Sequence, residues 1–258
     1  NLKKKYASSS SAPLSEVFDY LEDAKRQLEN LEKGTENKDA LEAEKKILEK
    51  QVYIAAKEIS KKRKAVADSL SGEVAEILDK LGMKGTRFGV SLIEKSGNDV
   101  EQKCGPYGMD DVEFLISANQ GSPLQPLAKI ASGGELSRVM LALKTIFSKN
   151  DPVGTMVFDE IDTGIGGEVA VQVGEHLRKL SMNKQIFCIT HLASIAVYAD
   201  NQIRIRKAVT EGKTESSVEP VKGEGRVHEI ARMLSGDAES PESLEHARAM
   251  LEKYSGSM

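Results

Sequence analysis

From Val17 the apolar positions fall at Val17, Leu21, Ala24, Leu28 and Leu31, in alternating steps of four and three. Residues so spaced share one helix face, and the repeat is the seam of a coiled coil. Gly34-Thr35-Glu36-Asn37 interrupts the seam. It resumes as Leu41, Leu48, Val52, Ala55, Ile59, Val66, Leu70, Val74, Ile77 and Leu81, with Lys45 and Lys62 as polar breaks. A helix over positions 38 to 81 would be roughly 65 Å long, beyond an ordinary globular helix, so it needs a partner strand. Residues 8 to 13, four serines followed by Ala12 and Pro13, form a turn or linker. Residues 14 to 81 therefore form one strand of an antiparallel coiled-coil arm, its partner lying upstream or in another chain.

Gly82 ends the rod, and the period changes to two. Phe88, Val90 and Leu92 alternate, as do Val112, Phe114 and Ile116, predicting two strands around a Gly/Asn loop from Lys95 to Asp111. Leu136, Val139, Met140, Leu143 and Phe147 mark one face of a helix. A strand at 156 to 158, a helix over 167 to 180, a strand at 186 to 190 and a short helix at 193 to 199 follow. This βαβα order predicts a mainly parallel sheet flanked by helices, an α/β lobe over residues 82 to 258 beside an arm over residues 1 to 81. Ile203 and Ile205 begin an exposed strand, Val218 belongs to a return strand, and residues 227 to 234 and 244 to 251 close the lobe as helices.

Composition narrows the classes. Hydrophobic residues make up 40%, enough for a core, and the formal charge is only -4, so bulk charge predicts no polyanion binding. Local runs at residues 3 to 5 and 57 to 64, centred on Lys61-Lys62-Arg63-Lys64, are solvated helix faces on their own. No apolar run approaches the roughly 20 residues that span a bilayer, so a cytoplasmic protein without a membrane partner is expected. Cys104 and Cys188 fit a reducing compartment better than a disulfide framework. The histidines, His176, His191, His228 and His246, match no zinc-ligand spacing. A chain opening at Asn1 is expected to be a piece of a longer protein.

Three motifs carry the chemistry. Ser132-Gly133-Gly134 opens a helix with a hydroxyl and two residues lacking side chains, so backbone N–H groups and the positive dipole end can approach an anion. Asp159-Glu160 ends an apolar strand, where ligands bind in open α/β sheets: one carboxylate suits Mg²⁺, the other an attacking water. His191 follows a buried strand, where an imidazole can sense a phosphate. Each alone has a bland reading as an N-cap, a strand end or a surface histidine. Their order decides: 25 positions separate Gly134 from Asp159 and 31 separate Glu160 from His191, room for one helix each. Gly212-Lys213-Thr214 mimics the tail of a phosphate loop, but Lys207 stands where the first glycine belongs, and a hairpin turn is expected. No G-x-x-x-x-G-K-[ST] loop occurs anywhere in the chain.

Ala131 to Glu135, Asp159-Glu160 and His191 resemble the signature motif, Walker B and switch histidine of ABC-type ATPase heads, the class that includes chromosome-maintenance proteins. More narrowly, residues 130 to 144, 158 to 167 and 190 to 200 resemble the RecN family of DNA double-strand-break repair ATPases. The resemblance implies an ATP–Mg²⁺ site shared by two heads: Asp159 serves the metal, Glu160 the water and His191 the γ-phosphate in cis. Ser132, Gly133 and Gly134 would meet the γ-phosphate of a second head, Glu135 would belong to the same nucleotide-binding motif, and Asp162 would lie in the loop crossing between heads. It also implies DNA and a second head as partners, a location at the nucleoid, and an N-terminal head lobe with the phosphate loop, without which this chain would be inactive. The rivals are a non-hydrolysing coiled-coil scaffold, a chromosome-maintenance ATPase and, more weakly, a transporter ATPase.

Overall fold

The computed structural model describes residues 1–9, 11–118, 121–210 and 213–255. Packing divides them into two units, residues 1–62 with 93–111, and residues 63–92 with 112–258. The division falls inside the long helix, so its last turns belong to the second unit.

In the first unit, helix α1 (Leu2–Tyr6) precedes the 66-residue helix α2 (Ser15–Lys80). The Tyr6 and Tyr20 rings lie 5.1 Å apart and Ser8 Oγ donates to Glu16 at 2.8 Å, so the residues before α2 fold back on its start. Ser10, within the expected turn, lies outside the described residues. The break expected at residues 34–37 is absent, because α2 runs through them without interruption. Gly in a helix costs about 1 kcal/mol relative to Ala, a local penalty that a helix of this length absorbs. The first unit also holds a short helix α3 (Val100–Lys103), capped by Asp99, whereas the strands on either side of it in the chain, β1 (Arg87–Glu94) and β2 (Asp110–Ser117), belong mostly to the second unit.

In the second unit α2 ends in a glycine cap. Met83 N–H donates to Leu78 O at 2.9 Å, and Gly82 takes the left-handed φ of 81° that such a cap requires. A Cβ there would also meet Val169 Cγ1 at 2.7 Å. Leu70, Val74, Leu78 and Leu81 enter the core with residues of β1 and β2. Strand β3 (Gln125–Pro126) pairs antiparallel with β2, closing a three-stranded sheet in the order β1-β2-β3.

The expected βαβα order then appears as α4 (Gly133–Phe147), β4 (Thr155–Phe158), α5 (Gly167–Ser181), β5 (Gln185–Cys188) and α6 (Ala193–Ala196). β4 and β5 run parallel with Val157 opposite Phe187. Parallel pairing is narrower than the pattern suggested: β4 and β5 form a two-stranded sheet of their own, and β6 (Gln202–Thr210) meets β7 (Lys213–Val221) antiparallel. The physical reason is connectivity: the long crossover through α5 carries the chain back so that β5 runs parallel to β4, whereas the short link after β6 returns the chain antiparallel. The hairpin register closes with Thr210 opposite Lys213; Gly212 lies outside the described residues. Helices α7 (Glu224–Ser235) and α8 (Pro241–Ser255) pack with α6 in a second cluster around Val197, Ile230, Ala231 and Ala247.

Candidate active site

Ser132 is extended, and its Oγ accepts the Glu135 N–H at 3.3 Å. That bond satisfies one of the donors a helix start leaves open. The two glycines that follow are explained by what faces them. A Cβ on Gly133 would stand 2.2 Å from Glu160 Oε2, and one on Gly134 would stand 3.0 Å from both the Glu160 carbonyl oxygen and Thr163 Cβ. At Gly134 the absence of a side chain lets the helix start approach the backbone of the loop after β4, and at Gly133 it leaves the space that the end of the Glu160 side chain takes.

That loop is tied to α4. Ser137 Oγ donates to Asp159 O at 2.7 Å, and Arg138 Nη1 donates to Ile161 O at 3.3 Å and Thr163 O at 3.0 Å. Arg138 is buried, and desolvation pulls its guanidinium below the ordinary pKa, partly opposed by the charge of Glu135. Asp159 Oδ1 accepts the Glu160 N–H at 2.9 Å, and Glu160 takes a φ of 55°, in the left-handed region. Such a backbone costs a non-glycine residue about 1–3 kcal/mol and persists only where its surroundings hold it. The sequence motifs alone give Ser137 and Arg138 no role. The signal lies in the spacing: Arg138 stands four after Gly134 and four before Ala142, on the face of α4 that is buried.

The third motif joins through Asp162. Its Oδ2 accepts from Thr190 Oγ1 at 2.6 Å and from the His191 N–H at 2.9 Å, and lies 3.0 Å from His191 Nδ1. Asp162 is buried, whereas the His191 side chain is 76% exposed. A residue that the resemblance puts in a crossing loop is thus occupied in fixing the loop after β5. Cys188, ending β5, has its thiol pushed up to about 12 by burial and the nearby charges of Asp162 and Asp159. The structure therefore brings Gly133 and Gly134 against Glu160, leaves Ser132 as the cap of α4, ties Asp159 to α4 through its carbonyl, and connects His191 by way of Asp162. Glu135 contributes its N–H to the cap. Among the described residues no group of three His, Cys, Asp or Glu is placed to hold a metal ion, so Asp159 would need oxygen ligands from elsewhere.

No family model matches the chain. It is 50% identical over 250 residues to the DNA repair protein RecN of Treponema pallidum, covering 97% of this chain and 43% of that protein. To RecN of Bacillus subtilis it is 34% identical over 261 residues, covering 98% and 45%. The chain thus spans less than half the length of these curated relatives. Among solved structures, an Smc head domain with a coiled coil and joint from Pyrococcus yayanosii is similar at a TM-score of 0.50 and 20% identity, covering 95% of this chain and 39% of that one. That likeness concerns the fold, a head lobe with an attached coiled-coil arm.

Proposed function

Over the 97% of its length that aligns, the chain belongs to the RecN family of DNA repair proteins, and from that premise we propose that it carries one half of an ATP-hydrolysing head. The observation that supports this most is the meeting of the signature helix start, the paired carboxylates and the histidine loop at one place, through Gly133–Glu160, Ser137–Asp159 and Asp162–His191. The donor set fits a nucleotide in part. Gly133 and Gly134 leave space at the helix start in which an anionic oxygen, that of Glu160, already sits, and Asp159 offers a carboxylate to a cation that phosphate oxygens would also hold.

When bound, ATP with Mg²⁺ supplies the transferable phosphoryl group and neutralises its charge. Glu160 orients the attacking water and takes its proton, Asp159 holds the metal, and Asp162 fixes His191 toward the phosphate. Ser132, Gly133 and Gly134 serve the nucleotide of a second head. The phosphate loop belongs to a further lobe, and an apolar surface is available for one: Val157, Phe187 and Ile189 share one face of the β4–β5 pair and are 65%, 47% and 55% exposed. DNA as substrate, a second head as partner and a nucleoid location in the cytoplasm follow from the family. No helix of the described residues is long and apolar enough to cross a membrane.

The test uses the full-length protein. Glu160→Gln keeps the size but removes the base, so hydrolysis should fall by about 100-fold or more while ATP-driven head association persists. Ser132→Arg should abolish turnover without abolishing ATP binding to a single head. Mixing the two variants pairs one intact signature with one intact Walker B and restores up to roughly half the activity per heterodimer. Turnover surviving in Glu160→Gln, or no recovery in demonstrated heterodimers, rejects the reading.

A further inference from the structure

We propose that in the resting head the Glu160 carboxylate is parked in the glycine gap of its own signature helix, and that a partner head's γ-phosphate must displace it there. This rests on the function proposed above and adds its regulation: the base is withheld until two heads engage.

Three observations converge on the parked state. Glu160 Oε2 lies 2.2 Å from where a Gly133 side chain would begin, so the carboxylate fills the space that the glycine leaves at the helix start. The positive end of the α4 dipole favours an anion at that point, whichever anion it is. Glu160 is also the only non-glycine residue with a positive φ among the described residues, a conformation that needs external support. The support comes from α4 itself. Ser137 holds the carbonyl before Glu160, and Arg138 holds the carbonyls of Ile161 and Thr163 after it. The helix that presents the gap therefore also fixes the residue that fills it. A carboxylate oxygen and a phosphate oxygen are both anionic acceptors, and one gap cannot seat both. Arrival of the partner's phosphate frees Glu160 to turn toward the water in its own pocket, and departure of the phosphate lets it return. Ser137 and Arg138 are positioning residues in this exchange.

The contact can be read without turnover. In the 258-residue chain the Glu160 side-chain protons should give NOEs to the Gly133 α-protons, and their absence overturns the parked state. In selectively protonated, otherwise perdeuterated full-length protein with Mg²⁺, saturating AMP-PNP should remove those NOEs, and their persistence overturns the exchange. The two ideas fail separately. NOEs between Glu160 and Gly133 alongside undiminished hydrolysis in Glu160→Gln sink the proposed function and leave the contact. Collapsed hydrolysis without the NOEs sinks only the parking.

Discussion

From Leu41 onward helix α2 carries one hydrophobic seam, yet the two ends of that seam meet opposite environments. Leu41, Leu48, Val52, Ile59 and Val66 are exposed, while Leu70, Val74 and Leu81, further along the same seam, are buried, joined by Leu78 beside the half-buried Ile77 of the seam. The β4–β5 pair repeats the contrast across its thickness: Met156 and Phe158 are covered, Val157 and Phe187 are bare. Periodicity states which face is to be buried, because side chains 3.5 residues apart in a helix or two apart in a strand point one way. It does not state what covers that face. Contiguous bare apolar positions of this kind mark surfaces that another segment covers.

The sharpest way to break the comparison is to truncate one residue from each side of it. Leu78→Ala or Met156→Ala removes packing from the core and should cost about 2–5 kcal/mol, read as a lower urea midpoint. Leu48→Ala and Val157→Ala should stay within about 0.5 kcal/mol in this chain, since neither leaves a cavity. If Leu48→Ala matched Leu78→Ala, the exposed half of the seam would have a partner after all. Adding a peptide of the complementary strand should raise the cost of Leu48→Ala selectively.

A smaller effect distinguishes the covered side of β5 from the bare one by pH. The Cys188 thiol is raised from its ordinary 9.0 to about 12 by burial first, then by Asp162 and Asp159. A raised acid contributes stability that is fully present below its unfolded value and is lost as pH rises toward the folded one. Stability should therefore fall between about pH 9 and 12, with this group adding at most about 1.4 kcal/mol per pH unit. Urea midpoints across that window should decline less steeply in Cys188→Ala. An unchanged slope would mean that the thiol is not desolvated at the end of β5.

Much of the site is legible in the sequence for a definable reason. The motifs at Ser132, Asp159 and His191 stand at a helix start or a strand end, where local pattern determines position, and the structure puts them at those ends. What the pattern does not reveal depends on contacts between distant segments. Nothing in the pattern places Arg138 beside the Ile161 and Thr163 carbonyls, to which it donates. Nothing in the pattern places Asp162 beside Thr190 and His191, which both donate to its carboxylate. β3 and α3 escape notice because two and four residues are too few to show a period.

The expected break at Gly34, which the structure does not show, supports the mildest prediction. Propensity argues for interruption, yet α2 continues, so Gly34 lies in an exposed helix interior with nothing within 4 Å of where a Cβ would stand. Its φ is not in the left-handed region, so Ala fits without strain. Gly34→Ala should then stabilise that stretch by about 0.5–1 kcal/mol, through reduced freedom of the unfolded backbone and better helix propensity. Because the stretch lies in the first unit and the core in the second, the gain should appear locally. Amide exchange around residues 30 to 40 should slow several-fold, while the urea midpoint set by Leu78 and Met156 stays put. Unchanged exchange would show that the chain does break there. A shifted midpoint would show that the two halves of α2 unfold as one, and the contrast between them would then concern burial alone.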